Sequence, residues 1–240
     1  MKKQEDKCFE VDLYQPVKDY FIKKGYEVYG EVNHCDVVAV RGNELVIIEL
    51  KLSLTIDLLI QATKRQRLTN QVYVAIPKPK YSLRSKKWKD TCHLIRRLEL
   101  GLVTVAFHGD DDIYMEVVHK PATFDRQKSM QRSKKKLTNL LTEIEGRTGD
   151  YNTGGSSQTK ILSAYKENCI HIACCLLNNG PLSPKSLRGM GTGEKTTAIL
   201  SNNYDGWFDR VKRGTYSLSE KGEGELREFP ELMAYYRGFA

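Results

Sequence analysis

The sequence predicts an α/β protein, a mixed sheet flanked by helices, followed by a small α+β domain. Three observations carry this. Residues 35–40 and 45–51 are two apolar segments joined by Arg41-Gly42-Asn43-Glu44, a hairpin signature with apolar residues on both faces. A helical stretch then leads to another apolar segment, Val72-Tyr73-Val74-Ala75-Ile76, which makes a β-α-β unit with parallel strands. The last third of the chain alternates short helical patterns with two short strands around Arg213-Gly214.

The elements follow in order. Phe9, Leu13, Val17, Tyr20 and Phe21 recur at helical spacing, so residues 7–24 read as helix; Pro16 either ends a first short turn or kinks it, and Gly25 stops it. Residues 26–32 form a strand. At the hairpin tip Gly42 and Asn43 both tolerate positive φ, which suits a two-residue turn. Residues 54–70 form the next helix, with Ser53 or Thr55 as N-cap. Residues 77–80 are a loop and residues 88–100 a helix ending at Gly101. Strands over 102–107 and 113–118 flank the acidic turn His108-Gly109-Asp110-Asp111-Asp112, which reads as a solvated loop rather than a cation site.

From residue 125 the texture changes. Arg126, Lys128, Arg132, Lys134, Lys135 and Lys136 crowd together, and a Gly-, Ser- and Thr-rich stretch runs to Ser157. The first part reads either as a basic helix on a phosphate backbone, with Leu137, Leu140, Leu141 and Ile144 as its apolar face, or as a solvated linker. The expected division is therefore a domain over 1–124, a basic helix or linker over 125–158, and a second domain over 159–240. In the latter, residues 161–177 are helical, Ser183-Pro184 fits an N-cap and first helical position, a helix covers 194–203, and Ser219 caps a last helix.

Composition narrows the function. The 240 residues carry a formal net charge of +8, which favours a polyanionic partner. No apolar run is long enough to cross a membrane, and Met1–Asp6 has no apolar run behind it, so the expected location is the cytoplasm. The six cysteines include no Cys-x-x-Cys pair. His171, Cys174 and Cys175 look superficially metal-binding but read as a buried helix face.

The sharpest feature is a trio of charges. With Gly42 and Asn43 at the tip, Asp36 falls opposite Glu49, and Lys51 projects from the same face two residues on. Directly opposed carboxylates about 5 Å apart repel by about 3 kcal/mol at an effective dielectric near 20. A divalent cation between them turns that repulsion into binding. The alternative is strand-end charges in solvent, with Lys51 relieving both acids.

Asp36 followed by Glu49-Leu50-Lys51 resembles the PD-(D/E)XK nuclease motif. Glu10 in a preceding helix, and Gln61 and Arg65 on the helix after the motif, extend the likeness to archaeal Holliday-junction resolvases and RecB-type nuclease domains. The whole chain is most similar to a bacterial group described as phosphodiesterases of this type (DUF2161). The resemblance implies a restriction-endonuclease-like sheet and Mg²⁺ or Mn²⁺ as cofactor. It implies Asp36, Glu49 and the Leu50 main-chain carbonyl as ligands, with Glu10 completing the shell, and Lys51 as the catalytic ammonium. Gln61 and Arg65 would contact phosphate or brace the acids. An exposed helix acid is the equal alternative for Glu10, as exposed polar side chains are for Gln61 and Arg65. Cys35 stands where the motif has proline, which is not a ligand. Residues 159–229 resemble a winged helix. Lys195, Thr196 and Thr197 would begin the recognition helix, and Lys212 and Arg213 the wing tip, all as DNA contacts. The implied partner is nucleic acid, DNA first, and a homodimer would let two copies address two strands. The competing class is a catalytically silent nuclease fold that only binds or regulates.

Overall fold

The computed structural model describes residues 8–107, 113–155 and 161–237. The acidic turn over 108–112 lies outside them. The chain divides into two compact units, Met1–Gln127 and Lys128–Ala240.

The first unit opens with a 3-10 turn, Glu10–Leu13, closed where Asp12 accepts the Phe9 amide at 2.7 Å. Helix α1 (Tyr14–Lys23) follows. The first short turn thus ends before Pro16, as one of the two readings of the sequence has it, and Pro16 sits in the first turn of α1, where no intrahelical donor is needed. Gly25, at φ +83°, then turns the chain into β1 (Glu27–Val32). Strands β2 (Cys35–Arg41) and β3 (Glu44–Leu50) form the hairpin. Positive φ is used at Gly42 alone, so Asn43 does not contribute what its residue type allows. Helix α2 (Ile56–Arg65) is capped by the Thr55 side chain and is shorter than its predicted span, because the pattern of buried residues ends at Ala62. Strand β4 (Val72–Pro77), helix α3 (Lys86–Arg97), β5 (Gly101–Phe107) and β6 (Ile113–His119) complete the unit. Ser85 starts α3 two residues earlier than the apolar pattern indicates, by accepting the Trp88 amide.

The six strands lie in sequence order. β1, β2 and β3 form an antiparallel meander, β3, β4 and β5 run parallel, and β6 returns antiparallel. Both faces are covered. Val38, Ile47, Val72 and Val74 pack with Leu58 and Ala62 of α2 and Trp88, Cys92 and Ile95 of α3. Val37, Ala39, Val46 and Ile48 pack with Leu13, Val17 and Phe21. This double burial explains the near-continuous apolar strands.

The second unit takes in most of the basic stretch, where α4 (Arg126–Arg132) and α5 (Lys134–Glu145) are helices with no buried residue. Its core centres on α6 (Ala164–Asn179), with α7 (Pro184–Gly189) and α8 (Thr196–Asn202) beside it. A hairpin of β7 (Phe208–Lys212) and β8 (Thr215–Leu218) follows, then α9 (Glu220–Leu226) and α10 (Pro230–Arg237). Leu182, between α6 and α7, pairs with Tyr216 as a single antiparallel bridge. Trp207, fully buried, anchors the core with Ile170, Ile172 and Leu226. Cys174, Cys175 and His171 are core residues, and His171 stacks on Tyr236 at 4.2 Å. No helix among the described residues is long and apolar enough to cross a membrane.

Candidate active site

Register sets the site. Val37 pairs with Ile48 and Val38 with Ile47; Asp36 and Glu49 lie one step beyond the last pair, near enough for the Asp36 charge to act on Glu49. The two strands are central, and their apolar faces end at these acids. Glu49 is buried, 1 % exposed, and a carboxylate so placed needs a partner. It has one: Arg65 Nε–H of α2 donates to Glu49 Oε1 at 2.6 Å. The same guanidinium donates to the His34 carbonyl in the β1–β2 turn. Asn33 and His34 both have positive φ, 49° and 64°, the signature of a tight two-residue hairpin turn. Arg65 thereby ties α2, the end of β3 and this turn together.

Asp36 is half-buried, and its Oδ2 accepts the Leu50 amide at 2.8 Å. Lys51, just past the end of β3, reaches Glu10: its Nζ lies 3.0 Å from Oε1 and 3.1 Å from Oε2. Glu10 is thus brought from the turn before α1 to the end of β3, although α1 covers the opposite sheet face from α2. Gln61 is exposed on α2, one turn before Arg65. Glu31 is exposed with φ +53°, which takes the backbone out of the extended conformation at that position.

The electrostatics follow from this packing. Burial pushes the Glu49 carboxyl above its ordinary value, the Asp36 charge adds to that, and Arg65 pulls the other way. The Glu10 carboxylate holds Lys51 upward as an ammonium, with Asp36 and Asp57 contributing. Three carboxylates, Glu10, Asp36 and Glu49, face two cations, Lys51 and Arg65, which leaves one net negative charge. Among the described residues no three His, Cys, Asp or Glu side chains stand close enough to hold a cation by themselves. Asp36 and Glu49 do offer carboxylate oxygens, the donor type that a hard divalent ion takes.

In the second unit the predicted contacts separate. Lys195 and Thr197 are exposed at the start of α8, and Lys212 and Arg213 are exposed at the β7–β8 turn. Thr196 is not available: it is fully buried, and its hydroxyl bonds Thr192 Oγ1 at 2.6 Å and the Gly193 carbonyl at 2.6 Å. It lies on the face of α8 shared with Ile199 and Leu200, so it secures the helix start instead of facing a partner. Arg188 of α7, which no sequence pattern singles out, donates to Thr197 Oγ1 at 2.7 Å and adds an exposed cation to that surface.

Neither the comparison with curated proteins nor that with solved structures gives a match. One family model matches residues 103–225, from β5 through most of α9, about half of the chain. Asp36, Glu49 and Lys51 precede the matched stretch, so the match does not bear on them. By that match the chain belongs to the family described as "Putative PD-(D/E)XK phosphodiesterase (DUF2161)".

Proposed function

We propose that this protein is a divalent-metal-dependent nuclease that hydrolyses phosphodiester bonds in DNA. The observation that supports the reading is the proximity of Asp36 and Glu49, one step beyond the last paired residues Val37 and Ile48 of a central hairpin, with the Lys51 ammonium near Asp36. Asp36 and Glu49 would hold Mg²⁺, or Mn²⁺, through one carboxylate oxygen each. The Leu50 carbonyl is a suitable third donor, because the Leu50 amide already points to Asp36 and the carbonyl of an extended residue points the same way. Glu10, whose carboxylate engages Lys51, would complete the shell through a bound water. Once bound, the ion supplies Lewis acidity, polarising the phosphoryl group and making water a better nucleophile.

The protein's own groups do the rest. Lys51 orients the attacking water and stabilises negative charge on the phosphate. Glu10 aims Lys51 and keeps it protonated. Arg65 fixes the Glu49 rotamer from behind, and exposed Gln61 is free to meet a phosphate. In the second unit, the order helix, bridge residue, helix, helix, hairpin supports a winged-helix reading, with Lys195, Thr197, Lys212, Arg213 and Arg188 as its DNA-facing groups.

A second reading draws on a specific observation. Glu49 and Glu10 are each neutralised by a protein cation, as they would be in a fold that binds nucleic acid and performs no chemistry. Cleavage separates the two. Full-length protein should nick supercoiled DNA with Mg²⁺ or Mn²⁺, while Asp36→Ala and Lys51→Ala, folded to the same extent, should not. DNA binding unchanged by EDTA, with no substrate cut, would favour the second reading.

A further inference from the structure

The segment between β4 and the first turn of α3 carries six cations, Lys78, Lys80, Arg84, Lys86, Lys87 and Lys89, and no acid. Its place in the fold is fixed by topology. β3 and β4 run parallel, so the chain leaves β4 at the end of the sheet where β3 delivers Glu49, Leu50 and Lys51. Leu50 pairs with Ala75, and Lys78 stands three residues beyond it. At about 3.3 Å per residue and about 4.8 Å between strands, that is roughly 10 Å along and one strand across. The distance corresponds to about three base-pair steps along the axis of a duplex, at about 3.4 Å each.

Aromatic groups interleave with these cations. Tyr81 and Tyr114 are both exposed, and Lys87 Nζ lies 4.8 Å from the Tyr81 ring centroid. Lys78 Nζ lies 5.6 Å from the Tyr114 centroid and 3.3 Å from its hydroxyl. Tyr114, at the start of β6, pairs with Ala106 near the end of β5, so it belongs to the same end of the sheet. Arg84, Lys86, Lys87 and Lys89 are exposed. Lys78 also pairs with Glu116 at 3.9 Å, but the lysines of α3 have no such reason in the fold: its first turn holds no acid, and lysines there oppose the helix dipole. A locally unfavourable charge arrangement kept beside a candidate site points to a ligand that offsets it.

We infer that residues 78–89 form the track along which the sugar-phosphate backbone of the substrate reaches the acids at the end of β3. The inference deepens the nuclease reading and rests on it for the identity of the site.

The test uses the full-length protein and a short labelled DNA duplex in EDTA, so that binding is read without cleavage, over a range of salt concentrations. Arg84→Gln/Lys86→Gln/Lys87→Gln removes three cations. The slope of log affinity against log salt should become shallower by about 2.7, and affinity at about 0.15 M salt should fall on the order of 100-fold. Arg84→Lys/Lys86→Arg/Lys87→Arg should keep the wild-type slope. The Gln variant should keep or raise the Tm, since it relieves the helix dipole, whereas a structural role would lower it. An unchanged slope with DNA still bound overturns the track. If wild type and the Gln variant also cleave equally, the track falls while the nuclease reading stands. If wild type cuts nothing with Mg²⁺ or Mn²⁺ but the slope still drops, the track stands and the nuclease reading falls.

Discussion

Replacing Arg65 with Gln probes the site through its least exposed ion pair. The substitution removes the 2.6 Å bond to Glu49 and the bond to the His34 carbonyl, leaving a carboxyl that is 1 % exposed beside Asp36. Breaking a buried pair by removing one partner costs about 3 kcal/mol or more. At about 4 °C per kcal/mol for a unit of this size, the transition of the first unit should fall by about 12 °C near neutral pH. The effect has a pH signature. The folded Glu49 pKa is raised above its ordinary 4.5, so its contribution to stability is complete below that value and is lost as pH rises through the folded pKa. Without Arg65, which pulls that pKa down, the loss extends to higher pH. The gap in Tm between wild type and Arg65→Gln should therefore be small near pH 4.5 and widen towards pH 8. Calorimetry on the full-length protein reads both. A fall of less than about 3 °C at neutral pH, or a gap independent of pH, would refute the claim that Arg65 holds an ionised Glu49.

Three further outcomes follow. Lys51→Ala should cost less than about 1 kcal/mol, because its pair with Glu10 is partly exposed, yet should lower cleavage on the order of 10²- to 10³-fold; paired melts and nicking assays check this. Thr196→Val should destabilise the second unit by about 1–3 kcal/mol by stranding the buried Thr192 hydroxyl. DNA affinity, measured by anisotropy below the melt, should not change. Gly222→Ala places a methyl group 2.7 Å from the Trp207 carbonyl and 2.8 Å from Leu218 Cδ1, and should destabilise that unit by about 1–3 kcal/mol in denaturant titrations.

Much of the sheet was legible because its signals are local. The turn at Gly42 sets the hairpin register, which pairs Val37 with Ile48 and leaves Asp36 and Glu49 one step beyond, without any tertiary information. The crossover to β4 is likewise forced by chain direction. What stayed hidden depends on how elements meet. Arg65 is four residues from Gln61 in sequence, but which of the two turns inward depends on how α2 rolls on the sheet, and Glu49 takes Arg65 as its partner. The Lys51–Glu10 pair joins the end of β3 to the 3-10 turn before α1, which no periodicity encodes. Thr196 was legible and misread: positions 196, 199 and 200 share one helical face, and the apolar Ile199 and Leu200 mark that face as buried.

The central claim is that Asp36 and Glu49 share one divalent ion. Titrating Mn²⁺ into full-length protein and following free Mn²⁺ by electron paramagnetic resonance tests it without reference to any substrate. One site should appear in wild type, tighten as pH rises and Glu49 ionises, and vanish in both Asp36→Asn and Glu49→Gln. A site that persists in either variant, or no site at any pH, would contradict it.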